Sequence, residues 1–241
     1  MTAVSVRTVR RVVTTRAGGA SLPPYDSFNL GDHVGDDPDA VRRNRERLAE
    51  VIGLAPERLV WMEQIHSRTV TVVEGPVREP VPATDALVTA AADLALVVVT
   101  ADCVPVLLSD DEAGVIAAVH AGRIGARIGI VSRVLEAMTE LGARPDRIGA
   151  LLGPAASGAQ YEVPAAMRAD VEKHLPGSAT TTSRGTPGLD LRAGIRRQLL
   201  EAGVAGVAVD PRCTISDPAL FSHRRGAPTG RLGSAIWQQL S

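Results

Sequence analysis

The chain has 241 residues, 26 Lys and Arg against 27 Asp and Glu, and a formal net charge of −1. That length suffices for one domain with a real core, and an apolar share of 45% excludes a disordered chain. Balanced charge and an aromatic content of 2% exclude the basic, ring-studded surface of a typical nucleic-acid binder, although a few local arginines could still hold an anion.

The first residues, MTAVSVRTVRRVVTTR, carry charges throughout and contain no apolar core of a signal peptide. Residues 4–15 alternate as a strand. GGASLPPYDSFNLGDHVGDDP (18–38) reads as a long ordered loop, a kind that often carries function. Asp37 and Pro38 then start a helix, as N-cap and first-turn residues. Val41, Leu48 and Ile52 give its buried stripe, and Gly53 ends it. Strands are expected at 58–65, 69–74 and 94–101. The apolar run 94–100 is too short to span a bilayer, so no membrane segment is expected.

VPVLLSD and GVIAAVHA flank a polar turn at 110–114 and predict a hairpin. A single helix is expected from Arg123 to Leu141, with Ile124, Ile128, Val131, Leu135 and Met138 on one face. Its N-terminus would lie beside His120, a natural place for an anion. Further helices are expected at 164–175 and 190–202, the second with Asp190 as cap and Gly203 as stop. Strands are expected at 204–210 and 234–240, with a basic loop, SHRRGAPTGRLG (222–233), between them. The mix predicts one α/β (α+β) domain over 1–241, a mixed β-sheet flanked by helices.

Three residues concentrate the chemistry: His66 in EQIHS, Cys103 in TADCVPVLL and His120 in AAVHAG. Taken singly they are ordinary: a histidine at a strand end, a small buried thiol, a core histidine. No compact zinc-finger spacing links them. Together, two imidazoles and a thiolate suit zinc, and three protein ligands leave a fourth position open, as in catalytic sites. Without a secretory signal the expected compartment is the cytoplasm, so Cys103 and Cys213 are expected as free thiols or ligands rather than a disulfide. Cys213 reads as structural and His174 as solvent-facing. His33 lies in the glycine-rich loop, where it can approach a ligand, and His223 has a weaker context. Arg224, Arg225 and Arg231 form either a solvated loop face or a phosphate and ribose clamp. Asn29 and Asp102 stabilise loops by default and bind ligand if they face the same cleft. The common nucleotide-binding and hydrolase motifs are absent.

Read together, the segment from TTRAGGASLPPYDSFNLGD onward, EQIHS, TADCVPVLL, VHAG and DPRCTISDPALFSHRRGAPTGRLGSAIW resemble the YfiH-like family, also called the laccase-domain or polyphenol-oxidase family. The resemblance runs from about Val13 to Trp237. It implies a single YfiH-like domain and a zinc-dependent enzyme of purine nucleosides. The reactions implied are phosphorolysis of adenosine, inosine, guanosine and methylthioadenosine, and deamination of adenosine. His66, Cys103 and His120 match the family's metal and catalytic positions. Asn29, Arg224, Arg225 and Arg231 are the expected substrate-binding residues. The partners implied are nucleosides and phosphate, with neither nucleic acid nor membrane. Copper and phenol oxidation are the alternative attached to the laccase label, although a multicopper centre needs more histidines than the five present. A peptidoglycan-editing role is a further alternative. Cys103 is expected as a ligand, or as a nucleophile without metal, and Asp102 as a proton donor or a partner to a histidine.

Two departures stand out. After HAG the family carries Trp-Arg-Gly, whereas this chain has Arg123-Ile124-Gly125, so Arg123 or Arg127 would substitute for the family's arginine. GPAASGAQYEV (153–163) lacks the family's Ile-Gly pair but keeps Tyr161 and Glu162.

Overall fold

Strands that are apolar on both faces need cover on both sides, and two stretches of this sequence, 94–100 and 115–121, are of that kind. The computed structural model describes residues 7–240 and supplies that cover. In chain order it contains β1 (Arg7–Val13), α1 (Pro38–Ile52), β2 (Leu59–Val60), β3 (Val70–Val72), β4 (Ala86–Thr89) and β5 (Ala95–Thr100). The hairpin β6 (Val104–Asp110) and β7 (Val115–Ala121) follows, then α2 (Arg123–Arg127), α3 (Ile130–Glu140) and β8 (Gly149–Leu152). The remainder is α4 (Ala165–His174), β9 (Ala179–Thr181), β10 (Pro187–Leu189), α5 (Leu191–Glu201), β11 (Gly206–Val209) and β12 (Leu232–Leu240).

Two mixed sheets and a two-stranded antiparallel ribbon of β9 and β10 form among the described residues, where one mixed sheet was expected. One of the mixed sheets has four strands in the order β1-β12-β5-β2, the other six in the order β11-β8-β6-β7-β4-β3. The six-stranded sheet is antiparallel in its middle and parallel at both ends. Alternation along β5 shows how the sheets stack. Ala95, Val97 and Val99 pack with Leu48 and Ala49 of α1. Leu96 and Val98 pack with Leu107, Ile116 and Ala118 of the other sheet. On β7 the odd positions Val115, Ala117 and Val119 pack against Ile130, Val131, Val134 and Met138 of α3. Each such buried aliphatic side chain contributes about 1.5–3 kcal/mol, so β7 is firmly held from both sides. His120 follows Ile116 and Ala118 on the face between the sheets, at the open end of that layer.

The expected helix over 123–141 is broken. Gly129 takes a left-handed conformation (φ 86°) between α2 and α3. The break swings α2 away from the stripe, and Ile124 is exposed rather than buried. With its five residues, α2 has too little aligned peptide dipole to be the anion site expected at this N-terminus. The strand expected at 58–65 stops at Val60, because the chain leaves the sheet to carry His66. The first expected strand is seen from Arg7, and residues 4–6 lie outside the described residues. Two buried amides, Asn29 within it and Asn44 on α1, help to order the loop over 18–38. Asn44 on α1 donates to Ser21 Oγ, Ser27 O and Asn29 O, and accepts from Ala20 N. Among the described residues, no helix is long and apolar enough to cross a membrane.

Candidate functional site

His120 ends β7, Cys103 immediately precedes β6, and His66 sits on the loop between β2 and β3. Antiparallel pairing of β6 with β7 places Val104 opposite Ala121, which brings Cys103 alongside His120. The metal-binding atoms of the three side chains lie within 4.8 Å of one another. Cys103 Sγ is 3.9 Å from His66 Nε2, and the two imidazole rings meet edge to face at 4.7 Å. Ligands of a tetrahedral zinc, at about 2.0–2.3 Å from the ion, stand roughly 3.5 Å apart. The donor set therefore suits such an ion, and the atoms stand a little wider apart than its ligands would.

The chain's turn geometry enforces this closeness at Gly122. A Cβ there would lie 2.9 Å from His66 Cδ2 and 3.0 Å from Cys103 Sγ. We expect Gly122→Ala to push these two side chains apart and lower metal content well below the wild-type level, with a stability loss of about 1–3 kcal/mol. Metal analysis of the purified variant checks this; wild-type stoichiometry would show that the loop absorbs the methyl group.

Asp85, at the start of β4, organises the centre and was not singled out from the sequence. Its side chain is fully buried. Oδ1 accepts from His120 Nδ1 at 2.8 Å and from His66 N at 3.0 Å. Oδ2 accepts from Ser67 N and Ser67 Oγ, both at 2.7 Å, and from Ile65 N at 3.3 Å. One carboxylate thus fixes the ring of His120 and the backbone of His66, whose φ of 62° is itself unusual. With Nδ1 committed to Asp85, His120 offers Nε2 to a ligand. Burial raises the Asp85 pKa, but the hydrogen bonds from His120 and Ser67 outweigh it and hold the carboxyl below its usual range. Burial likewise pushes the Cys103 thiol up, but the charge on His120 and the hydrogen bonds of both histidines bring it down to about 6. Against its own burial, His120 is raised to about 9 by Cys103 and Asp85.

The three residues line a cleft of about 270 Å³. Its walls also hold His33, Gln64, Asp102, Arg123, Tyr161, His223, Arg224 and Arg231. A larger groove, about 680 Å³, runs between α1 and Trp61. It holds none of the three ligands, so size alone does not choose the site. Of the residues expected to bind substrate, Arg224 and Arg231 reach the cleft. Asn29 does not. Its amide is used up by Gly31, Asp36 and the backbone N–H of Arg231, so it positions that arginine instead. Arg225 also turns away, donating to the carbonyls of Thr214, Asp217 and Leu220. Asp102 accepts from Thr214 Oγ1 and Arg224 N, which pins the basic loop over the cleft. The histidine partner is Asp85, not Asp102. Arg123 faces the cleft, whereas Arg127 pairs with Asp170 outside it. Cys213 accepts from Ser157 N, and His174 is exposed on α4.

Two stacked mixed sheets carry, at their strand ends, a Cys/His₂ donor set of a kind that could hold a metal ion, with an open basic cleft above it. The chain belongs to the family described as multi-copper polyphenol oxidoreductase laccase, whose pattern matches residues 10–239. A purine nucleoside phosphorylase of Mycobacterium tuberculosis (strain H37Rv) is 62% identical over 236 residues, covering 98% of this chain and 94% of its own. One from Corynebacterium glutamicum is 63% identical over 233 residues, covering 96% and 95%. The fold matches YlmD from Geobacillus stearothermophilus with a TM-score of 0.90 at 34% identity, over 96% of this chain and 92% of that one. The hypothetical protein YfiH of Bacillus licheniformis matches with 0.88 at 30% identity, over 95% and 92%. The fold is thus YfiH-like, as the sequence resemblance implies.

Proposed function

We propose that the protein is a zinc-dependent enzyme of purine nucleosides. It cleaves adenosine, inosine, guanosine and methylthioadenosine with phosphate, and deaminates adenosine. The observation that carries this reading is the convergence of His66, Cys103 and His120 at the floor of a cleft whose walls are basic. The names borne by its relatives in Mycobacterium and Corynebacterium, purine nucleoside phosphorylase, support its phosphorolytic part. At about 270 Å³ the cleft is near the lower end for small-molecule sites, roughly 300–1,000 Å³, so it suits one compact ligand.

His66, Cys103 and the Nε2 atom of His120 would hold the ion, and Asp85 orients both histidines. Bound there, zinc would supply Lewis acidity. Phosphorolysis requires a phosphate held against C1′ of the ribose, and arginines on the cleft wall do the holding. His33 and His223 stand on that wall beside Asp102 and Tyr161, and an imidazole there can carry a proton to the leaving purine. Gln64 keeps the mouth fixed by pairing with both backbone groups of Val99, at 2.8 and 2.9 Å. A reducing cytoplasm agrees with two free cysteines.

The test is incubation with adenosine, with and without phosphate, and chromatography of the products. Adenine with ribose 1-phosphate, inosine with ammonia, or both should appear. Cys103→Ala should lower turnover by at least about a hundredfold. Purified protein should carry about one zinc per chain. Alanine at His66, Cys103 or His120 should remove it with the fold retained. If neither product exceeds the Cys103→Ala background, the nucleoside reading fails. The family's description favours a second reading, oxidation of phenols by a single copper at the same three ligands. Oxygen-dependent oxidation that appears only when copper is added would support it.

A further inference from the structure

Three arginines line the cleft, against one carboxylate, Asp102, both of whose oxygens are already engaged. Two of the arginines close on a single aromatic side chain. The Arg224 guanidinium lies 5.0 Å from the centroid of the Tyr161 ring, with Nη1 tied to Glu162 O at 3.1 Å. Arg123 lines the same cleft wall and acts on this tyrosine electrostatically. Among the described residues, neither arginine has a carboxylate within ion-pair distance. Arg127, one turn further along, is bidentate to Asp170. The ring attracts Arg224, but two like charges on one cleft wall repel each other, and an anion bound between them would relieve that repulsion. Burial raises the Tyr161 pKa, which keeps its hydroxyl a neutral donor. Gly122, in contact range of His66 and Cys103, immediately precedes Arg123, so this basic group borders the metal centre.

We propose that Arg123, Tyr161 and Arg224 form the oxyanion subsite of the cleft, where inorganic phosphate sits beside the metal centre. The assignment rests on the nucleoside reading for its co-substrate, but not for its geometry. It replaces the clamp expected from Arg224, Arg225 and Arg231 with a different trio. Arg225 is spent on carbonyls of its own loop, and Arg231 is left to the nucleoside. Guanidinium forks give charge-assisted, directional bonds to phosphate oxygens, and the phenol adds a neutral one.

The experiment is direct titration of the purified, metal-bearing protein with inorganic phosphate by calorimetry, without nucleoside. Arg123→Gln and Arg224→Gln should each weaken phosphate binding by about tenfold or more, and Tyr161→Phe by roughly threefold to tenfold. Arg127→Gln should change nothing. Circular dichroism and metal content control for folding, and Arg224→Gln carries the test should Arg123→Gln misfold. Phosphate affinity within about twofold of wild type in both arginine variants overturns the subsite. So does binding that is lost in Cys103→Ala but kept in both arginine variants, because the anion would then sit on the metal. Wild-type protein that converts adenosine to inosine yet binds no phosphate also overturns the subsite and leaves the nucleoside reading standing. Phosphate bound through these residues without any nucleoside turnover supports the subsite and removes that reading.

Discussion

Replacing Asp85 with alanine is expected to strip the metal centre and to cost the fold about 3–5 kcal/mol, the usual penalty for breaking a buried charged network from one side. The carboxylate is fully buried and accepts from five donors on two separate chain segments. Alanine would leave three backbone N–H groups, one hydroxyl and one imidazole N–H without their acceptor. For a chain of this size the loss corresponds to a fall in melting temperature of about 6–20 °C. Asparagine is the more informative change. It keeps the shape but presents an NH₂ where one oxygen accepts. His120 Nδ1 or the Ser67 donors would then face another donor. Metal affinity should fall by about tenfold to a hundredfold while the sheets persist. Competition with a chelator measures the first effect and thermal unfolding the second. Unchanged affinity and melting in both variants would mean that the loop of His66 is held by its own packing and that Asp85 has no role in the centre.

Why the sequence conceals Asp85 is a matter of burial. A carboxylate in TDALVT looks like a turn residue, because nothing local shows that its partners lie 18 to 35 positions away. The only available signal is a charged residue directly before an all-apolar strand, which must find donors if it goes inside. That His66, Cys103 and His120 belong together was legible for the opposite reason. Histidine and cysteine at strand ends carry chemistry by residue type, and motifs around them fix which ones matter. Arginines sit between these cases. Arg224 and Arg225 are neighbours in sequence, yet one faces the cleft and the other satisfies three carbonyls. Only the path of the backbone separates them.

The fold divides in the same way. The β6–β7 hairpin and α5 followed from turn chemistry and caps, whereas α4, expected over 164–175, has no side-chain cap and buries only Val171. Asp190 accepts from Ala193 N as an N-cap should. The break at Gly129 was hidden by the periodicity around it: Ile128 and Val131 continue the pattern while the backbone does not. Short strands were the other loss. β4 has four residues, all buried, with no alternation to betray it. β9 and β10 have three each and lie partly exposed at the margin of the fold. The second sheet escaped notice because a strand apolar on both faces, such as β5, reads the same between two sheets as between a sheet and a helix.

In metal-free protein, Cys103 is expected to alkylate as a thiolate with a midpoint near pH 6. The direction follows from the competing causes. Burial favours the neutral thiol, but the adjacent His120 charge and the two imidazole hydrogen bonds favour the anion more, and bring the group from 9.0 to about 6. A lowered thiol pKa means that the anion is present above it, so reactivity rises through pH 6 and is level by about pH 8. At pH 7 the thiolate share is about 90%, against about 1% for a thiol at the unperturbed value. His120, raised to about 9, stays charged across that window and sustains the effect. Replacing His120 with glutamine removes that charge and should return the midpoint towards 9. Bound metal should suppress the reaction at every pH, because the sulfur is then a ligand. The measurement is a pH–rate profile with iodoacetamide, read by mass spectrometry on the peptide that carries Cys103. Peptide resolution matters because the Cys213 thiol is also lowered, in its case by hydrogen bonds from Ser157 and Ser216 acting against burial. A Cys103 midpoint near 9 in the chelated wild-type protein would mean that the thiol and His120 do not form an ion pair, and that the site is held ready for metal by geometry alone.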